Sequence, residues 1–375
     1  MLTLQDRDIR YRNLRDAMRR EGLDAMLVIC DAQIEKKGLL KYLTNYRNTL
    51  YNLVAVFPLE GAPKLLVPSP VQRVWAKRLS WIDDIVLEKP ALEPVLVNTI
   101  REMGLENAHF GIASLQIMNA YTFNYLKDNL PSATFVEASK LIDELRVIKT
   151  PAELELMRET IDLTIRSFEV LGQELRPGIT EQEVLAKVDS MLVCNGAQDI
   201  FHLICSKPGD VMPFMATDRK IERGDAVIVN TEISGPSGYW CQMVRTAFVG
   251  KPTERAERMY ETLQDLCCRQ LPEKLVPGAR CSDIAKWVIA QTEAAGYQVG
   301  VYFGHCQGLD VVELPKIAVT DDSELRAGMV LVVHPQFVTK DAQETVWYCD
   351  SYLVKDNGPA EILTKTAPDF LYLDY

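Results

Sequence analysis

Two of the four histidines in this 375-residue chain stand in settings suited to chemistry. His305 lies in "VYFGHCQGLDVVELPKI", inside a turn bracketed by glycines, and His334 directly precedes Pro335 in "LRAGMVLVVHPQFV". Imidazoles bind transition metals and move protons near neutral pH. The pair therefore has three readings: a metal site, a metal-free catalytic pair, or what is left of a site that no longer works. The elements that position the two rings must narrow these.

The chain is long for one hydrophobic core and comfortable for two domains. Its 47% apolar and 25% charged residues are ordinary for a folded globular protein. A formal net charge of −11 gives a field that repels phosphate backbones and acidic membrane surfaces, so neither nucleic acid nor a membrane is an expected partner. The N-terminus has basic residues but no apolar run, and nowhere do about eighteen apolar residues follow one another, so a cytoplasmic protein is expected. Nine cysteines without a C-x-x-C pair suggest mostly buried free thiols.

The first part of the chain alternates helix and strand. "RDIRYRNLRDAMRREG" reads as a helix stopped by Gly22, "AMLVI" as a strand, and "NLVAVFPLEGAPKLLVPS" as two strands across a Gly/Pro turn. This predicts a smaller α/β domain over residues 1–145. At "VIKTPAELELMR", Thr150 is placed to cap a long helix, with Pro151 at its first position and Glu153 completing a capping box. A second domain is expected over 146–375. Within it, "LRPGITEQEVLAKV" and "LVPGARCSDIAKWV" repeat a Pro-Gly turn and a capped helix one hundred residues apart. Two helix–helix–strand halves of this kind predict a curved antiparallel sheet with helices outside and a cavity on the other face.

The fragments "VIKTPAELELMR", "IERGDAVIVNTE", "GYWCQMVRT", "FGHCQGLDVVELP", "LRAGMVLVVHP" and "DSYLVKDNG" occur in the order and spacing of the creatinase, prolidase and aminopeptidase P superfamily. The chain resembles that superfamily over nearly its whole length. The resemblance implies an α/β fold, with a creatinase-like N-terminal domain and a C-terminal pita-bread domain, and a homodimer in which one subunit's small domain helps close the other's site.

In the superfamily's peptidases, two aspartates, a histidine and two glutamates hold two divalent ions whose bridging hydroxide attacks an amide. The resemblance places the histidine on His305 and the second aspartate on Gln242. The first aspartate falls on Thr231, or on Asn230 if the loop is one residue longer; the glutamates fall on His334 and Cys349. Four of the five ligands are changed, which disfavours a conventional dimetal Xaa-Pro peptidase. His305, His334 and Cys349 would still share a cavity, either as a single-zinc set with Gln242 or water, or as a thiol beside imidazoles. A degenerate binding site is the third alternative.

"LVPGARCSDIA" and "VNTE" resemble the metal-free creatinase branch more closely than the peptidases. The resulting expectation is a metal-independent hydrolase of a non-peptide carbon–nitrogen bond in a small molecule, with no cofactor and no metal. His305 would handle the proton, His334 would orient the substrate, and Cys349 would be nucleophile or polar partner. Gln242 and Trp240 share one face of a regular strand, and Thr231, Glu232, Glu313 and Phe214 are expected on the substrate side. Arg47 and Arg73 are candidates for a substrate carboxylate. A lyase or decarboxylase, and a noncatalytic binding protein, are the competing readings.

Overall fold

The computed structural model describes residues 2–31, 37–47, 52–207, 209–300, 303–365 and 373. The chain divides into two compact units, Met1–Arg146 and Val147–Tyr375.

The N-terminal unit is a mixed sheet flanked by helices. Its strands β1 (Ala25–Cys30), β2 (Leu53–Pro58), β3 (Lys64–Val67), β4 (Asp84–Leu87), β5 (His109–Ala113) and β6 (Thr134–Glu137) run in the order β4-β3-β2-β1-β5-β6. Helices α1 (Leu4–Glu21), α2 (Gly38–Thr44), α3 (Pro70–Leu79), α4 (Leu92–Glu102), α5 (Ala120–Asn129) and α6 (Ser139–Arg146) complete it. Each end of α1 is specified locally. Thr3 and Asp6 form a capping box, and Gly22 takes the left-handed conformation that closes the C-terminus. Leu27, Ile29, Val54 and Ile112 of the sheet pack with Leu96 and Ile100 of α4 and Leu126 of α5.

The C-terminal unit has helices α7 (Pro151–Glu174), α8 (Glu181–Cys194), α9 (Glu254–Asp265) and α10 (Cys281–Ala294). Its strands are β7 (Asp199–Cys205), β8 (Ala226–Ser234), β9 (Trp240–Phe248), β10 (Gln298–Val299), β11 (Gly304–Cys306), β12 (Glu313–Ile317), β13 (Val330–Val333), β14 (Gln336–Val338), β15 (Thr345–Trp347), β16 (Asp350–Leu353) and β17 (Glu361–Ile362). They form antiparallel groups in the orders β7-β8-β9, β12-β11-β13-β16-β17 and β10-β14-β15. A bridge between Val244 and Cys349 joins the first two groups.

The Thr150–Glu153 capping box starts α7. The repeat is physical as well as textual. Gly178 and Gly278 both adopt positive φ, 89° and 84°. Each donates its N–H across to a partner strand, to Ile221 and Leu325, whose own N–H groups return to Ile179 and Ala279. The two halves differ at the cap. Thr180 and Glu183 form a full capping box on α8, whereas Arg280 stands before α10 without a side-chain cap, a correction to the expectation of two capped helices.

A buried ion pair ties two of the sheet groups together. Arg245 on β9 meets Asp350 on β16 at 2.7 Å, donates to the Cys349 carbonyl at 2.7 Å, and lies over the Tyr348 ring. Thr364 also donates to Asp350. Removing one partner would strand the other charge in the interior, at a cost of about 3–5 kcal/mol.

Candidate functional site

The floor of the site is set by the register of β8 and β9. Asn230 pairs with Val244 and Glu232 with Gln242, so these four residues share one face of the antiparallel pair. Gln242 donates its Nε2 to Asn230 Oδ1 at 3.1 Å, and Asn230 donates its Nδ2 to Glu232 Oε1 at 2.7 Å. Thr231 points the other way. Its hydroxyl lies 3.0 Å from His202 Nδ1, and His202 Nε2 lies 2.9 Å from Asp189. The residue that meets Gln242 through its side chain is thus Asn230, and the placement of Thr231 on the substrate side is corrected by strand alternation.

His305 enters from β11, opposite Val332 of β13, and is 1% exposed. Gly304 makes this possible, because a Cβ there would sit 2.2 Å from the Val332 carbonyl oxygen. His305 Nδ1 is 2.8 Å from the Cys306 carbonyl. A carbonyl only accepts, so Nδ1 carries the hydrogen and Nε2 is the basic nitrogen. Burial drives the His305 pKa down to about 4. His334 follows β13, donates its backbone N–H to Phe303, and accepts the Trp347 indole N–H at 2.7 Å through its carbonyl. Its ring lies 5.6 Å from that of His305 and 5.9 Å from that of Trp347. Burial first, and His305 second, push its pKa down to about 3. Both imidazoles are therefore neutral at pH 7.

Cys349 does not behave as an activated thiol. It packs with Ile228, Val244, Val332 and Trp347, and its Sγ lies 3.9 Å from the Gln242 carbonyl. Burial, and then Asp350, push its pKa well above the ordinary thiol value. With both histidines neutral, no imidazolium stands beside it to favour a thiolate, so the expected nucleophile is corrected to a packed, protonated thiol. Cys306 is likewise buried in an apolar cluster with Leu331 and Val333, with its pKa raised.

The remaining expected residues separate. Trp240 is buried on the Gln242 face of β9, with its backbone N–H bonded to the Gly308 carbonyl. Glu313 is a structural residue instead of a substrate ligand: its carboxylate takes Lys149 at 2.8 Å and the backbone N–H groups of Leu309 and Asp310. Phe214 is 73% exposed and is held by backbone bonds to Ile204, so it is not an apolar wall. Arg47 and Arg73 belong to the N-terminal unit, Arg47 just after α2 and Arg73 on α3. Trp347 was not anticipated; its signal is the strand "TVW" that ends two residues before Cys349.

Two divalent ions held close together require anionic oxygen donors. The five positions offer the amides of Asn230 and Gln242, the neutral imidazoles of His305 and His334, and a thiol in apolar packing. Among the described residues, no three His, Cys, Asp or Glu side chains are arranged to hold a metal ion. This donor set does not fit the metal pair, and His305, His334 and Cys349 do not converge as a single-zinc set either.

Comparison with known proteins fixes the lineage. The family model described as "Metallopeptidase family M24" matches residues 155–356, and that described as "Creatinase/Prolidase N-terminal domain" matches residues 10–148. An Xaa-Pro dipeptidase of Pyrococcus horikoshii is 28% identical over 272 residues, covering 70% of this chain and 76% of that protein. One from Pyrococcus furiosus is 30% identical over 245 residues, covering 63% and 68%. The crystal structure of the P. horikoshii prolidase superposes with a TM-score of 0.83 at 23% identity, over 97% of this chain and 99% of that one. The relatives' names overturn the expectation of non-peptide carbon–nitrogen chemistry, and the metallopeptidase description overturns that of a metal-independent class. "LVPGARCSDIA" misled because its turn is an element of the fold, present twice in this chain, and so does not distinguish one branch from another. The chain has the two-domain creatinase/prolidase architecture and belongs to metallopeptidase family M24, a family of hydrolases.

Proposed function

We propose that the protein hydrolyses short peptides of the Xaa-Pro type, the substrate class that names its relatives in Pyrococcus. The observation that carries this reading is the identity of 28% and 30% to those Xaa-Pro dipeptidases over 70% and 63% of the chain. The pocket chemistry supports it. Asn230, Gln242 and the two neutral imidazoles are buried polar groups suited to meeting a neutral amide by hydrogen bonds. His305 Nε2 is the basic nitrogen of its ring, and the Trp347 indole adds a buried apolar surface beside His334. Because the donor set does not fit two divalent ions, no step is assigned to a metal.

A substrate panel tests the reading. Full-length protein is incubated with alanyl-proline, leucyl-proline, alanyl-alanine and creatine, with and without added Mn²⁺, Co²⁺ or Zn²⁺, and the products are quantified. Release of proline from the Xaa-Pro members in preference to the others supports the proposal. Turnover of creatine alone, or no proline under any condition, removes it.

A further inference from the structure

The N-terminal unit contains a cavity that peptide hydrolysis does not use. It measures about 340 Å³ and is lined by Asp8, Tyr11, Arg12, Arg15 and Arg19 of α1 and by Glu60 just after β2. That volume is within the range of small-molecule sites. Although the chain as a whole is acidic, α1 is locally basic, with six arginines against four carboxylates.

Two groups on the cavity wall are held in place with donors to spare. Tyr11 is 8% exposed and its ring meets Phe57 edge-on, with centroids 4.8 Å apart. Its hydroxyl is shielded from solvent and has no hydrogen-bond partner among the described residues. The Arg15 guanidinium lies over the same Phe57 ring, 5.3 Å from the centroid. Arg15 donates from Nη2 to the Gly61 carbonyl, while its Nε is buried and has no partner among the described residues. Phe57 is itself fully buried in β2, so one core ring orients both groups.

The charges around them say what they would bind. Both carboxylates on the wall are already matched, Asp8 by Arg7 at 2.7 Å and Glu60 by Arg19 at 2.8 Å. Arg12 makes no hydrogen bond or ion pair among the described residues. The groups left over are all donors: the Tyr11 hydroxyl, Arg15 Nε and the Arg12 guanidinium, with a fixed positive charge on each arginine. A phosphate ester answers them with three strong acceptor oxygens and a charge near −2, where a carboxylate offers two oxygens and a single charge. The cavity is also larger than a bare phosphate fills, which leaves room for an organic remainder.

We propose that this cavity is a binding site for a small phosphate monoester, held by Tyr11, Arg12 and Arg15. It belongs to the N-terminal unit alone and does not depend on the Xaa-Pro reading.

The test is calorimetric titration of full-length protein at low ionic strength with phenyl phosphate, and with benzoate as the carboxylate on the same ring. Wild type should bind phenyl phosphate with a Kd of about 1 mM or tighter, and at least about tenfold more tightly than benzoate. Arg12→Gln, at an exposed position, should weaken phenyl phosphate about tenfold. Tyr11→Phe keeps the ring against Phe57, loses only the hydroxyl, and should weaken it at least about threefold. Arg20→Gln, exposed on the same helix but not on the cavity wall, should leave binding unchanged. Three results would each overturn the site: no binding of phenyl phosphate by wild type, benzoate binding as tightly, or Arg12→Gln and Tyr11→Phe binding no more weakly than Arg20→Gln.

Discussion

At the residue scale, the site is governed by desolvation. His305 and His334 titrate near 4 and 3 in the folded chain against 6.5 for an ordinary imidazole. Above pH 6.5 both states are neutral and stability is unaffected; as pH falls below 6.5 the unfolded chain takes up protons that the folded chain refuses. Each histidine should therefore remove on the order of 1.4 kcal/mol of stability per pH unit through this window. Urea unfolding at pH 7.5, 6 and 5 should show that decline, and His334→Gln should flatten it; stability unchanged from pH 7.5 to 5 would contradict the assignment. The same burial predicts an order of thiol reactivity. Exposed Cys194 should be alkylated at pH 7 while Cys349 stays unmodified in native protein, as peptide mass mapping would show. Rapid labelling of Cys349 would restore the nucleophile that the packing denies. The sequence reading found the three side chains but not their protonation, because burial arises from Ile228, Val244, Val332 and Trp347, which are distant along the chain.

At the element scale, what can be read in advance is local. The capping box at Thr150 and the stop at Gly22 involve residues within a few positions of each other, and both form. The β8/β9 register is not local in the same way. A shift of one residue exchanges Asn230 with Thr231, and only the pairing of Glu232 with Gln242 settles it. The matching Pro-Gly turns concealed a difference of the same kind, since Thr180 caps α8 and Arg280 does not cap α10. Thr180→Ala should cost about 1 kcal/mol of stability and Arg280→Ala close to nothing, measured by denaturant midpoint. Gly304→Ala should be more damaging. Its methyl would meet the Val332 carbonyl and force apart the two strands that carry His305 and lead into His334, with a loss of about 1–3 kcal/mol and of peptide binding. Unchanged stability in that variant would mean that β11 and β13 are not in the close register described.

At the scale of the whole molecule, family and fold were readable because six motifs in fixed order run through the C-terminal unit, from Val147 to Gly358, behind a smaller domain of alternating helix and strand. Substrate class was not, because the positions that define the family's chemistry are the ones this chain has changed. Ligand losses at Asn230, Gln242, His334 and Cys349 pointed away from peptides, while similarity to Xaa-Pro dipeptidases over 70% and 63% of the chain points toward them. We propose that the site keeps its hold on a short peptide while its centre has exchanged carboxylates for amides and neutral rings. No helix among the described residues is long and apolar enough to cross a membrane. We propose that the protein works as a homodimer, which sedimentation would register as twice the 42.4 kDa chain mass. The central claim is most directly tested by the rate of proline release from alanyl-proline, measured for wild type and for folded His305→Ala under the same metal supplements. Saturable release by wild type, lowered about 100-fold or more in the variant, is the predicted result. No release by wild type, or equal rates in the two proteins, would contradict it.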